Sequence, residues 1–553
     1  MMSLSLRISS LSPATTPFAL LAALGLLAAP VAFAQGSLTP PGAPAPSMKS
    51  LDQIEPRVSI STLAGDATAL FVITNPGAYY LTANISGASG KAAIAVDAND
   101  VSLDLNGFAL IGVSGATRGV ELRGNSLNFS LRNGSVRNWT TAGVGLAGSP
   151  APTNAVLEDL RISAIAGPAI SLAGGSAITI ARCTVSGATQ GILLGGAGLV
   201  ERCVVSQITN PANYVTGIDA GAVLDCEVTS VTAGGSYDAI GINAHTARGC
   251  RVMAITGGGN GISVGIQSDT AVGCSVSTIG ASNTGVGEGI EASTVSACTV
   301  SIVGNASSGS IQYGIAGTGA AVTGCSVSQI GNSSCSALVE GIDASVVSDC
   351  QVSQLYTKSS ITGISAEVVS VCAVSYLNQL GASSGAVQGI KADVVTGCKV
   401  LTLGANSPTA AVGIYATRSI TSSAISGTAN YGAGGSIGVD LGTSGVANLC
   451  HVSGSPTTGI RATSNAKITQ CEVVGSSITI GIDCQATSSL IDGNNVSGCV
   501  TGIKGTGSTL IVRNHVTSTT TKFSTAAACQ LGPVSNATGT ILSTVSPWAN
   551  FTD

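Results

Sequence analysis

Along most of this chain the apolar residues alternate with polar ones inside short runs, and the runs recur about every two dozen residues. One copy reads Gly341-Ile342-Asp343-Ala344, followed by Val347, Cys350, Val352 and Leu355. Ile342 and Ala344 flank Asp343, and Cys350 and Val352 flank Gln351, so short strands with an apolar inner side and a polar outer side are predicted. Steps of three separate Ala344 from Val347, Val347 from Cys350 and Val352 from Leu355; they break the alternation and predict bends. The same glycine-to-cysteine spacing links Gly217 to Cys226, Gly241 to Cys250, Gly265 to Cys274 and Gly289 to Cys298. It recurs between Gly363 and Cys372 and between Gly389 and Cys398. Looser copies begin at Gly314, Gly413, Gly438, Gly459, Gly481 and Gly502, and weaker ones near Ile94, Gly119, Gly143, Ala169 and Gly191. Together they predict a solenoid of about eighteen coils.

The kind of solenoid follows by comparison. A leucine-rich repeat needs several Leu per unit and a helical return, and these units hold one Leu or none. A hexapeptide helix needs a period that is a multiple of six, whereas the glycine spacings run from 21 to 27. An all-β, single-stranded parallel β-helix with turns of variable length fits, and the preference of parallel crossovers makes the right hand the expected one. At about 4.8 Å per coil the stack would extend roughly 80–90 Å. Composition agrees. Apolar residues make up 44% of the chain but aromatics only 3%, which suits a narrow core filled by Ala, Val and Ile. Charged residues reach 9% and the net charge is −5, with no basic patch to suit nucleic acid.

The N-terminus reads as an export signal over residues 1–34. Arg7 precedes an apolar run from Phe18 to Ala29, and Ala32-Phe33-Ala34 supplies the small residues that mark cleavage before Gln35. A proline-rich linker then covers 35–47, an N-terminal cap 48–90, the β-helix 91–515 and a C-terminal cap 516–553. Phe71, Tyr79 and Tyr80 are expected to cover one apolar mouth, and Phe523, Trp548 and Phe551 the other, because an open end exposes unpaired strand edges. No later segment has the length of a membrane helix, so a secreted, surface or periplasmic protein is expected.

Sixteen Cys in an exported chain suggest disulfides. Twelve of them, from Cys183 and Cys203 to Cys450 and Cys471, fall instead on one inward column, with a gap near Ser422. Neighbours there point the same way at the strand spacing, longer than the Cβ separation a bridge prefers, so packed free thiols are expected. A linear column also lacks the convergence of a tetrahedral metal site. Cys335, Cys484, Cys499 and Cys529 lie off it, and a bridge among them stays open.

The stretches Val101-Ser102-Leu103-Asp104-Leu105-Asn106-Gly107-Phe108 and Leu131-Arg132-Asn133-Gly134-Ser135-Val136-Arg137-Asn138-Trp139 resemble the opening coils of exported bacterial right-handed β-helix proteins of the pectate-lyase-like superfold. Met48–Arg57, Gly77-Ala78-Tyr79-Tyr80-Leu81 and Pro547-Trp548-Ala549-Asn550-Phe551 resemble one group within it, a group without an assigned reaction. The resemblance implies the fold and little about activity. Lyases of the superfold hold Ca²⁺ with clustered carboxylates and use an Arg or Lys base, while its hydrolases carry Gly-His-Gly and Arg-Ile-Lys. Neither hydrolase motif occurs, and none of His245, His451 and His515 is flanked by glycines.

The best remaining site is the outward position of Gly-Ile-x-Ala. On successive coils it reads Asp219, Asn243, Gln267 and Glu291, with His245 and Asp269 two residues further along. A second patch combines Asp343, Glu367, Lys391 and Asp393, with Tyr415 nearby. Such columns could line a groove that hydrogen-bonds successive sugars or holds a cation; a solvated sheet face looks the same. No cofactor is expected, Ca²⁺ being the one candidate ion. The expected function is an exported non-catalytic surface for adhesion, envelope structure or glycan binding, with polysaccharide or envelope glycan as partner. The alternative is a lyase or related enzyme acting on acidic polysaccharide.

Overall fold

The computed structural model describes residues 57–553 except 125, 149–150, 281–284, 305–310, 318, 382–383, 407, 433, 486 and 537–545. The expected export signal, the linker and residues 48–56 of the cap lie outside the described residues. The unit Arg57–Asp553 is a parallel β-solenoid of about 19 turns, and every strand pairing in it is parallel. The described residues include one 3₁₀ turn, Ile60–Thr62, and no α-helix.

Each coil contributes to three sheets. In one coil the strand Val215–Leu224 bends once and serves the first two, and Glu227–Ala233 serves the third. The first sheet stacks Ile218, Ile242, Ile266 and Ile290 in register, the second Val223, Ala247, Ala271 and Val295, and the third Val228, Val252, Val276 and Val300. All of these side chains are buried, in one continuous core. The isoleucine ladder ends on an aromatic at each extremity: Phe71 pairs with Ile94, and Phe523 with Ile503. Tyr79 is buried and donates its hydroxyl to the Asn75 carbonyl at 2.8 Å, whereas Tyr80 faces outward under the Arg57 guanidinium. At the other extremity Trp548 is exposed, with Arg513 over its ring.

The steps of three have a backbone cause. The residue before each column Cys is left-handed, as at Asp225 (φ 51°), Gly249 (φ 64°) and Asp349 (φ 53°), and makes the corner between second and third sheets. A second left-handed residue sits four after the Cys, as at Ser230 (φ 56°) and Gln354 (φ 59°), so Val228 and Val231 both point inward although three apart. The leading glycine is also dictated by packing. A Cβ on Gly217 would lie 2.5 Å from the Gly241 carbonyl oxygen and 2.6 Å from Val228 Cγ1.

All sixteen Cys are free, the four off the column included. The column thiols do more than fill space. Cys203 donates its S–H to the Glu201 carbonyl at 3.3 Å and accepts the Cys183 backbone N–H at 3.4 Å. That geometry repeats: the Cys274, Cys298, Cys325, Cys350 and Cys372 N–H groups each reach the sulfur of the next coil at 3.3–3.5 Å. The corner turns this N–H inward, away from the strand ladders, so the position needs a polar acceptor. Where the cysteines stop, other acceptors replace them. Ser423 fills the gap, accepting the Cys398 N–H at 3.2 Å, and Asn494, Asn514 and Asn550 extend the column beyond Cys471. The expected packed free thiols are present, and each is in addition a hydrogen-bonding group inside the core.

Candidate functional site

The outward residues of the first sheet form a track along the stack. Asp219, Asn243, Gln267 and Glu291 are register partners on consecutive coils. With His245 and Asp269 they line a groove of about 490 Å³ that ends at Gly317. A second groove of about 300 Å³ starts at Gly317 and is lined by Asp343, Glu367, Lys391, Asp393 and Tyr415. The structure therefore brings all ten candidate residues to two adjoining hollows on one face.

Their contacts run from coil to coil. Asn243 Nδ2 donates to Asp219 at 3.3 Å and Gln267 Nε2 to Glu291 at 2.8 Å. His245 Nδ1 and Asp269 lie 2.8 Å apart, both exposed. Asp393 accepts the Thr417 hydroxyl and lies 3.7 Å from Arg418. Burial holds the Asp219 carboxyl above the ordinary range, against N–H groups of Gly196 and Gly195 and the Asn243 amide; burial raises Asp343 too, opposed by Lys391.

Charge bounds the track. Further along the same column Arg461 makes a bidentate pair with Asp440, and Lys504 lies 3.6 Å from Asp483, so that region is self-neutralised. Upstream, Glu121 is held by Arg118 and Arg123, each at 2.9 Å. Between these stretches the groove linings carry six carboxylates, Asp219, Asp269, Glu291, Asp343, Glu367 and Asp393, against Lys391 and His245. The open part of the column is acidic. Among the described residues no three His, Cys, Asp or Glu side chains converge as a metal site.

A second outward column flanks the track, and the sequence reading passed it over. Glu288, Tyr313 and Glu340 are register partners on three successive coils. Burial pushes Glu288 up to about 7, with Glu291 adding to the effect. It pushes Glu340 up to about 7 as well, with Asp343 adding and Lys391 opposing. Tyr313 is raised by burial first, then by Glu340, Asp343 and Glu288. Each of the three immediately precedes the Gly-Ile pair of its unit, so the signal was the residue before that pair rather than the one after it.

These two carboxyls make stability depend on pH. Between their ordinary value of 4.5 and about 7 the folded chain keeps protons that the unfolded chain has lost, so stability falls as pH rises through that window. Thermal unfolding is expected at a higher temperature at pH 5 than at pH 8. The Glu288→Gln, Glu340→Gln variant should flatten that difference, by roughly 1–2 kcal/mol per carboxyl once partial exposure is allowed for. An unchanged slope in the variant counts against the assignment.

No family model matches the chain, and no curated protein matches it. Among solved structures, a mannuronan C-5 epimerase A-module from Azotobacter vinelandii is 12% identical, with 86% of this chain and 99% of that chain covered, at a TM-score of 0.13. The catalytic unit of an α-1,3-glucanase from Streptomyces thermodiastaticus strain HF3-3 is 10% identical, with 86% and 68% covered, also at 0.13. At that level of overlap neither neighbour's chemistry transfers to this chain.

Proposed function

We propose that this chain is an exported, right-handed β-helix of the pectate-lyase-like kind that binds glycan along its lateral track without turning it over. The observation that carries the reading is the meeting of the two hollows at Gly317, which makes one polar track across successive coils. Amides and carboxylates repeating at the coil spacing suit pairs of sugar hydroxyls, and Tyr415 offers a ring for stacking. The acidic lining favours neutral glycans, because an acidic polysaccharide would meet like charge unless a cation intervened.

Affinity electrophoresis through gels containing neutral β-glucans, alginate or polygalacturonate, with and without Ca²⁺, tests this. Retardation by a neutral glycan is expected, falling about tenfold or more in the Asn243→Ala, Gln267→Ala variant while its circular dichroism is unchanged. Failure to bind any glycan, or unaltered binding by that variant, overturns the reading.

A second reading has one observation in its favour. Glu288 and Glu340 titrate near neutrality beside the track, and a carboxyl so raised serves as a general acid. In that reading the chain is a lyase or related carbohydrate-active enzyme. New absorbance from unsaturated uronates, or new reducing ends, abolished by Glu340→Gln, would decide for it.

A further inference from the structure

The outer face of the third sheet carries a hollow that shares no residue with the track. Its volume is about 810 Å³, and Ile302, Gln329, Asn332, Gln354, Tyr356 and Leu380 form most of its lining. The register sets these residues on successive coils. Ser301, Ser328, Ser353 and Ser375 pair in turn, so the residues after them, Ile302, Gln329, Gln354 and Tyr376, make one column at the second left-handed corner. Tyr356 stands beside that column as the register partner of Gly331. A Cβ on Gly331 would lie 2.1 Å from the Tyr356 carbonyl oxygen, so only glycine fits and the lining carries no side chain there. Asn332 pins the rim. Its amide donates to the Gly304 carbonyl at 2.8 Å, and its oxygen accepts the Ser334 and Cys335 N–H groups at 2.7 and 3.2 Å.

Two observations set this hollow apart from an ordinary solvated face. The first is strain without full burial. Ile302 (φ 56°) and Tyr376 (φ 55°) are left-handed, which a β-branched or bulky side chain adopts at a steric cost, yet they are 41% and 58% exposed. Ser230 and Gly427 make the same corner on other coils, so the turn itself does not ask for a large side chain. The second is unmet hydrogen bonding. The side-chain amides of Gln329 and Gln354 line the hollow with no partner among the described residues.

The lining also says what fits. It holds no charged side chain among the described residues, so an ionised ligand would meet no counter-charge. Ile302, Tyr356 and Leu380 suit an apolar face, and two free amides, each a donor and an acceptor, suit neighbouring hydroxyls. A neutral pyranose presents both, a face of C–H groups and a rim of hydroxyls. We infer that this hollow is a second saccharide site, where a neutral sugar ring packs on Tyr356 and its hydroxyls are held by Gln329 and Gln354. Binding here does not depend on the track.

The test uses the full chain carrying Asn243→Ala and Gln267→Ala, which disables the track, so that any remaining binding is this hollow's. Soluble oligosaccharides of cellulose, mannan, laminarin and starch serve as probes, followed by calorimetric titration and saturation-transfer NMR. At least one probe should bind, with saturation strongest on its ring C–H protons. Adding Tyr356→Ala should weaken that binding about tenfold, as should Gln329→Ala with Gln354→Ala, while Tyr356→Phe, which keeps the ring, restores most of it. Ile302→Ser should weaken binding without lowering the unfolding midpoint, because a strained and exposed side chain is given up. A probe held by the unsubstituted chain and lost in the track background belongs to the track alone, which overturns this inference and leaves the other reading standing. Binding unaltered by Tyr356→Ala overturns it too, as does a fallen midpoint in Ile302→Ser, which would make Ile302 a packing residue. Binding by no probe in either chain overturns both.

Discussion

Replacing Gly265 by Ala is expected to destabilise the middle of the solenoid by about 3 kcal/mol or more, a large penalty for a single methyl group. The added Cβ would lie 2.4 Å from Val276 Cγ1 and 2.5 Å from the Gly289 carbonyl oxygen. Neither can yield. Val276 is locked in the third-sheet ladder, and Gly289 carries the same contact to the coil beyond it. Gly273→Ala is the control. Its φ is +62°, but nothing lies within 4 Å of the added carbon, so about 1–2 kcal/mol of backbone strain is all it should cost. Coils in a solenoid contact only their neighbours, so damage stays local at first. Hydrogen exchange and limited proteolysis should show opening centred on coils 241–314 in Gly265→Ala and little change in Gly273→Ala. Equal effects from the two would sink the packing account.

That glycine shows why the fold was legible. Gly, Ile, Val and Cys recur because stacking imposes the same neighbour on each coil, so a packing constraint is written once per turn and survives loose copies. The bends were legible as steps of three, although their cause was not. Left-handed residues at the corners include Asp225, Gly249, Ala297 and Val371, whose types share no signature. The cysteine column and its free, buried thiols were legible, and its hydrogen bonding was not. Its hydrogen-bonding role emerges only once Asn494 and Asn514 are seen in the same place, and nothing local marks them as equivalents of Cys471 beyond the Val that follows two residues later.

The candidate site was legible to the extent that it, too, follows the register. Asp219, Asn243, Gln267 and Glu291 could be stacked from spacing alone, and so could Asp343 and Lys391 within the second patch. Its limits were not legible. Asp440 and Asp483 occupy the same column as Asp219 and differ only in having Arg461 and Lys504 for neighbours. Nor did the spacing expose Glu288 and Glu340, whose burial depends on how the column beside the glycine is covered rather than on residue type.

The interior asparagines provide the second large effect. Asn514 is fully buried; its amide donates to the Ile491 carbonyl at 3.0 Å and the Val512 carbonyl at 2.9 Å, and its oxygen accepts the Asn494 N–H at 3.0 Å. Its own N–H reaches Asn550 at 3.0 Å, continuing the column toward the last strand. Asn514→Ala removes the acceptor of the Asn494 N–H inside the core and a donor to the Ile491 carbonyl, while the Val512 carbonyl keeps the Gly493 N–H at 3.2 Å. An unmet buried group costs about 1–3 kcal/mol, and a loss of about 3 kcal/mol is expected. Asn514→Cys should cost far less, within about 1.5 kcal/mol. A thiol at that corner accepts the inward N–H and donates to the carbonyl two residues back, as Cys471 does to Thr469 at 3.3 Å. Denaturant unfolding followed by fluorescence of Trp548 reports this extremity, and the alanine variant should lose its signal before the rest of the chain unfolds. If alanine and cysteine were equally damaging, the position would be one of shape alone. If cysteine is tolerated and alanine is not, the column is a single hydrogen-bonded structure whose chemistry changes from thiol to amide toward its end. The end coils have a neighbour on one side only, and the stronger acceptor then stands where the stack has least support.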